Sequence, residues 1–155
     1  MTDFQGALGV CQMQKARNIM AGRREVAKKY DEALKSIPQF ISPYVPNGYI
    51  HGYQSYVCLF TNGESVDNLT IESIDRINIK RNELMEKLEE KGIATRQGTH
   101  AIHTLSYYKN RYSLNNKDFL MSYAADRLSI TLPVYSGMTD EEFNYVMSNI
   151  KECVA

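Results

Sequence analysis

The spacing of apolar residues changes several times along the chain, and each change predicts a different element. Residues 3–36 carry apolar side chains at helical spacing. Thr2 and Gln5 stand three apart, the pattern of a capping box that begins a helix. Ala21-Gly22 predicts a kink or break, and Pro38 closes the segment. The pattern therefore predicts one long, kinked N-terminal helix.

Three shorter segments have the composition of β-strands. The sequence QSYVCLF (54–60) is rich in β-branched and aromatic residues and ends at the turn signal Asn62-Gly63. The sequence SITLPVY (129–135) is a second strand, which Pro133 stops. Residues 93–97 are expected to form a short third strand. These strands are separated by helical patterns, so a sheet covered by helices is expected.

Helical spacing returns in four later segments. The first, 78–91, follows a polar loop at 62–74 and ends at Gly92, a residue favoured at helix C-termini. Two more helices are expected at 104–112 and 115–128. The last helix begins at a second capping box and buries one apolar face; its residues are Thr139 and Glu142 in the box, and Phe143, Val146, Met147 and Ile150 on the face.

The order of elements predicts an α+β fold in which helices cover a small, mostly antiparallel sheet. The long kinked helix precedes this sheet, and we divide the chain into a helical segment, 1–36, and a small α+β domain, 37–155. Residues 4–13 combine small and apolar side chains, which allow another backbone to approach closely. We therefore expect a homodimer or other self-association through residues 4–13.

Composition and charge narrow the function only slightly. The chain has 155 residues, enough for one domain with a core. Lys plus Arg and Asp plus Glu both number 18, so there is no electrostatic argument for nucleic acid or for an anionic membrane surface. The three cysteines form no paired motif, and no secretory leader or membrane-spanning run is recognisable. A cytoplasmic protein with no nucleic-acid or membrane partner is expected.

The sequence GIATRQGTHAIHTLSYY (92–108) holds the candidate chemistry. His100 and His103 stand three apart, but a metal site needs three or four ligands, and the other ligands are not evident. The alternative is that one histidine packs in the core and the other lies on the surface. No complete set of catalytic residues accompanies them, and no metal ligands are assigned.

Five segments resemble those of the DegT/DnrJ/StrS-type aminotransferases, in the same order and over essentially the whole chain. They are MTDFQGALGVCQMQKA, RREVAKKYDEAL, SYVCLF, RNELMEKLEEKGIATRQGTHAIH and LPVYSGMTDEEFNYV. The resemblance implies the C-terminal small domain of a fold-type-I, pyridoxal-phosphate enzyme that aminates nucleotide-linked keto-sugars. It also implies that the chain is truncated at its N-terminus, because the large domain with the aldimine lysine precedes this region in the family.

The resemblance therefore implies no cofactor-binding and no catalytic residue in this chain, and pyridoxal phosphate only in the intact enzyme. The partners of that enzyme would be a keto-sugar nucleotide and an amino donor. His103 matches a recurrent histidine of the family's substrate-facing segment, and Gln97, Gly98, Thr99 and His100 occupy its variable part. Their hydroxyl, amide and imidazole groups suit a polyhydroxylated sugar; a packing role for His100 stays open.

Two other interpretations of the chain remain open at this point. One is a non-enzymatic small-domain module that binds a partner through its N-terminal helix. The other is one half of a split aminotransferase whose N-terminal half is a separate polypeptide.

Overall fold

A computed structural model describes residues 1–154. The helices are α1 (Asp3–Leu34), α2 (Ile71–Glu90), α3 (Ser106–Tyr112), α4 (Leu120–Leu128) and α5 (Asp140–Val154). The strands are β1 (Phe40–Ile41), β2 (Tyr56–Phe60) and β3 (Ser129–Leu132). Short 3-10 helices lie at Val66–Asn68, Ile102–Thr104 and Asn116–Phe119.

The three strands form one antiparallel sheet in the order β1-β2-β3. Tyr56, Cys58 and Phe60 of β2 are buried at every second position, as expected where a strand faces the core. Asn62 and Gly63 follow with positive φ angles of 53° and 82°, which turn the chain out of the strand. The α+β fold with its antiparallel sheet and long N-terminal helix is confirmed.

Helix α1 has two halves with different surroundings. The predicted capping box at Thr2 and Gln5 is present. The first half is exposed, whereas four residues of the second half are buried: Val26, Ala27, Tyr30 and Leu34. Helical structure continues through Ala21 and Gly22, so there is no break. A Cβ atom at Gly22 would lie 2.7 Å from the Ser136 hydroxyl oxygen, and the glycine therefore permits a close contact.

Helix α2 begins at Ile71, seven positions before the predicted start at residue 78. The sequence-based boundary was wrong because Thr70 and Ser73 form a capping box, and these small polar residues have a loop-like composition. The predicted end is confirmed: Gly92 has φ +73°, and its N–H donates to the Glu89 carbonyl.

The expected strand at 93–97 is reduced to a single bridge between Arg96 and Thr131. The pairing stops there because Gly98, the next residue whose N–H could continue the antiparallel ladder, donates to the Ser129 hydroxyl rather than to a strand carbonyl. The segment therefore leaves the sheet edge just before the candidate residues, and side chains rather than a strand ladder fix its path.

The remaining elements follow the predicted pattern. A 3-10 turn leads into α3, and another leads into α4. The capping box at Thr139 and Glu142 begins α5, which buries Val146, Met147 and Ile150.

No helix within residues 1–154 is long and apolar enough to cross a membrane. The domain boundary at residue 36 stays a prediction; the second half of α1 packs into the same core as the sheet.

Candidate functional site

The candidate segment is anchored to the sheet at Gly98. The Gly98 N–H donates to Ser129 Oγ at 3.0 Å. A Cβ atom at this position would collide with Cγ1 of Val57 and lie 3.1 Å from the Ser129 Cβ. Only glycine fits without displacing β2 or β3, so Gly98 brings the backbone against the sheet and does not itself offer a side chain.

Gln97 connects three parts of the site through its amide nitrogen, Nε2. It donates to Oδ1 of Asp126 and to the Thr99 carbonyl oxygen at 2.8 Å, and it lies 3.2 Å from His100 Nδ1. Asp126, on α4, was not among the residues chosen from the sequence. Its position within an amphipathic helix resembled that of any solvated acid, but the residue is only 8% exposed.

The two histidines have opposite surroundings. The His100 side chain is 77% exposed, and its Nδ1 lies 3.8 Å from Asp126 Oδ1. His103 is 5% exposed and stacks on the Phe119 ring with a centroid distance of 5.0 Å. Its Nε2 is buried without a hydrogen-bond partner among the described residues. The structure therefore places Gln97, Thr99 and His100 together and His103 beneath the surface.

A cleft of about 540 Å³ lies between α2 and the segment that follows Ala94. Two of the predicted residues, Gln97 and His100, line it. Sequence reasoning missed the rest of the lining, which is Asn82, Met85, Glu86, Glu89, Ala94, Thr95 and Arg96. The helix residues among them occupy one face of α2 and resemble a solvated surface in sequence. The lining combines both signs of charge with neutral donors and acceptors, which suits a polar ligand.

Arg81 supports the site from the interior. It is 3% exposed, and its Nη1 donates to the Ser129 carbonyl at 3.2 Å. Burial lowers the pKa of the guanidinium, and the nearby Asp126 carboxylate opposes that change. Ser129 thus receives hydrogen bonds from both α2 and Gly98, which fixes the end of α4 relative to the candidate segment.

A metal site requires a cluster of ligands, and an aldimine site requires a lysine in a particular environment. Residues 1–154 contain no group of three or more His, Cys, Asp or Glu that could hold a metal ion. An aldimine lysine needs a pocket that removes its ammonium from water. Every lysine here is exposed except Lys29 and Lys91, which are half-buried and pair with Asp140 and Glu152. These contacts raise the pKa of both lysines.

The sequence profile of the DegT/DnrJ/EryC1/StrS aminotransferase family matches residues 1–151. Two relatives match the whole or nearly the whole chain. The uncharacterized protein MJ1066 of Methanocaldococcus jannaschii is 27% identical over 155 residues, which is 100% of this chain and 37% of the relative. The spore coat polysaccharide biosynthesis protein SpsC of Bacillus subtilis is 26% identical over 99% of this chain and 37% of its own length.

Solved structures show the same fold. The putative sugar aminotransferase Spr1654 of Streptococcus pneumoniae, in its apo form, superposes with a TM-score of 0.80 at 20% identity, over 99% of this chain and 35% of that protein. The same protein in its PLP form gives a TM-score of 0.79 at 21% identity, covering 99% and 36%. The chain therefore spans little more than a third of the proteins that it matches.

Proposed function

The chain belongs to the DegT/DnrJ/EryC1/StrS aminotransferase family, and we propose that it is the C-terminal small domain of a pyridoxal-phosphate enzyme that aminates nucleotide-linked keto-sugars. The observation that carries the proposal is the joint placement of Gln97 and His100 at a polar cleft, next to the exposed Thr99. These groups are neutral hydrogen-bonding partners, the kind that sugar hydroxyls require.

The proposed substrate contacts differ in how they reach the ligand. Gln97, Thr99 and His100 bind hydroxyl groups directly, and Gly98 gives the backbone its close path along the sheet. His103 stays in the proposed site because its buried Nε2 retains hydrogen-bonding capacity that no residue within 1–154 uses. A ligand, or a group from the rest of the intact enzyme, would take up that capacity.

The amination itself requires groups from outside these 155 residues. Bound pyridoxal phosphate supplies the electron sink for transfer of an amino group from an amino donor to the keto-sugar. The lysines described here are exposed or ion-paired, so the part of the enzyme that binds the cofactor must contribute the lysine. This chain contributes binding and orientation of the sugar, and by itself it is expected to be catalytically silent.

A second candidate function is an interaction module, or one half of a split aminotransferase. The exposed first half of α1 favours it: Phe4 is 82% and Met13 is 73% exposed. Gly6 and Gly9 line an open groove of about 520 Å³ beside Val10 and Met13 on the same helix. Burial of this apolar face would stabilise a homodimer or a complex with a cofactor-binding polypeptide.

Sugar binding can be tested on the isolated chain by nuclear magnetic resonance titration with UDP-glucose, with UDP and glucose as separate ligands. We expect UDP-glucose to shift the amide signals of residues 97–103, and His100→Ala to weaken binding about tenfold, the effect of one lost hydrogen bond. The control is His51→Ala, since His51 is an exposed histidine outside the cleft lining. Equal weakening by both variants would contradict the assignment of this site.

Catalytic silence is tested separately. The chain is incubated with pyridoxal phosphate, reduced with borohydride and mapped by mass spectrometry. Scattered, partial labelling of surface lysines is expected because an exposed amine forms only a weak, unselective adduct. Stoichiometric labelling of one lysine would overturn the assignment of the aldimine lysine to another part of the enzyme.

A further inference from the structure

Asp126 has no assigned role, although its carboxylate contacts the residue at the centre of the candidate site. We infer that Asp126 is a positioning residue that sets which atom of Gln97 is presented to the ligand. This inference rests on the proposed sugar-binding function for its ligand class. The contacts themselves can be tested without any ligand.

The orientation of the Gln97 amide follows from the chemistry of its neighbours. An ionised carboxylate only accepts hydrogen bonds, so the atom facing Asp126 Oδ1 must be the amide nitrogen. The same nitrogen also faces the Thr99 carbonyl, a second obligate acceptor, at 2.8 Å. Two independent acceptors therefore exclude the flipped amide. The remaining polar atom, Oε1, has no donor within the described chain and is left for a ligand.

The two N–H groups of the Gln97 amide are both used, one by Asp126 and one by the Thr99 carbonyl. His100 Nδ1 lies 3.2 Å from the same nitrogen and 3.8 Å from Asp126 Oδ1. The hydrogen bonds from Gln97 to Asp126 and Thr99 therefore leave one acceptor, Gln97 Oε1, beside the exposed His100 ring.

Burial makes this arrangement rigid. Asp126 is 8% exposed and lies on α4, next to the buried Arg81 charge. One turn later, Ser129 is 1% exposed and accepts the Gly98 N–H. The end of α4 therefore fixes the Gln97 side chain at one point and the adjacent backbone at another. Ordered groups of this kind bind a ligand without a further cost of ordering themselves.

A hydroxyl group matches Gln97 Oε1 because it can donate a hydrogen bond to this acceptor. A carboxylate or a phosphate at the same position would face the Gln97 oxygen and be disfavoured. The ligand class for this part of the cleft is therefore a neutral, hydroxyl-bearing group, such as the sugar ring of a nucleotide-linked sugar.

The first test measures the hydrogen bond itself through thermal stability. Asp126→Asn replaces a charged acceptor with a weaker neutral one, and Gln97→Glu places two carboxylates in contact, so each variant should lower Tm. The double variant should recover part of the loss, because the amide introduced at position 126 can donate to the carboxylate introduced at position 97, while the Thr99 carbonyl stays without its donor. Asp75→Asn is the matched control, since Asp75 accepts a hydrogen bond from Tyr123 at 2.5 Å outside the cleft. Additive losses in the double variant would overturn the inference.

The second test uses UDP-glucose as the probe and UDP as its reference. Asp126→Asn should weaken UDP-glucose binding about tenfold, with UDP binding unchanged, and the double variant should restore part of the binding because the carboxylate at position 97 presents an acceptor. If Asp126→Asn folds and binds UDP-glucose as tightly as the unmodified chain, the inference is wrong. If UDP-glucose fails to bind any variant while the Tm pattern holds, the ligand class and the proposed function fail and the positioning role stands.

Gln97→Met covers the case in which the Asp126 variants do not fold. It removes the amide at a half-buried position without changing the buried carboxylate. UDP-glucose binding should weaken by the same factor as in Asp126→Asn. Unchanged binding by a folded Gln97→Met chain would remove Gln97 from the site, and the role of Asp126 with it.

Discussion

The hydroxyl of Tyr30 donates a hydrogen bond to the Pro133 carbonyl oxygen, 2.9 Å away, and joins the buried half of α1 to the end of β3. The Tyr30 ring is fully buried and packs on Tyr56 and Phe143 with centroid distances of 4.9 Å. Burial raises the pKa of its phenol. This one side chain therefore connects the N-terminal helix, the sheet and α5.

Tyr30→Phe should lower the free energy of unfolding by about 1–2 kcal/mol, because it leaves the Pro133 carbonyl without its donor. The ring packing is retained, so the variant isolates the hydrogen bond. Tyr49→Phe is the control, since Tyr49 is 74% exposed and its change should have almost no effect. Urea unfolding measures the stability of both variants. If Tyr30→Phe is as stable as the unmodified chain, the Tyr30 hydroxyl contributes nothing.

Gly98→Ala should destabilise the chain by about 1–3 kcal/mol, because the added methyl group collides with Val57 and Ser129. Gly9→Ala should have the opposite sign, a gain of about 0.5–1 kcal/mol, since Gly9 lies in an exposed helix with nothing within 4 Å of its Cβ position. Thermal unfolding of the two variants gives the comparison. A neutral Gly98→Ala would mean that the sheet yields easily at this point.

Val10→Glu with Met13→Glu should abolish any self-association, because both side chains line the groove on the exposed half of α1. Sedimentation velocity over a wide range of concentrations measures it. Met121→Glu provides a control at a side chain that is 64% exposed outside this groove. An unmodified chain that stays monomeric throughout would contradict self-association through residues 4–13.

The three cysteines should react with iodoacetamide in the order Cys11, Cys153, Cys58. Cys11 is exposed, Cys153 is half-buried and Cys58 is buried. Burial raises the pKa of the Cys58 thiol to about 12, so little thiolate is present at mildly alkaline pH. Peptide mapping against time gives the order, and labelling of Cys58 in folded protein before Cys11 would contradict it.

The raised pKa of the Cys58 thiol also makes the free energy of unfolding depend on pH in the alkaline range. Its folded-state pKa of about 12 lies above the ordinary value of 9.0, so the unfolded chain releases this proton at lower pH than the folded chain. The corresponding stability is present below pH 9 and is lost as the pH rises toward 12. As the pH rises over this range, the urea midpoint of Cys58→Ala should fall less steeply than that of the unmodified chain. Parallel pH profiles for both chains would count against the effect.

Local signals in the sequence determined the elements that depend on neighbouring residues. The capping boxes at Thr2 and Thr139 and the turn at Asn62-Gly63 each use contacts within three residues, and the sequence located them correctly. The family resemblance selected the 97–103 segment as a candidate substrate site because its motif is continuous, and that assignment stays a prediction. The start of α2 was misplaced because a Thr–Ser capping pair has the composition of a loop.

The tertiary structure decided what those local signals meant. Asp126 and Ser129 lie far from Gln97 and Gly98 in sequence, and the packing of α4 on the sheet brings them into contact. Arg81 on α2 in turn reaches Ser129. The histidines three apart have opposite surroundings because the chain turns into a 3-10 helix, which buries His103 under Phe119 and leaves His100 exposed. Contacts over long sequence separations depend on the collapsed core, and no local pattern encodes them.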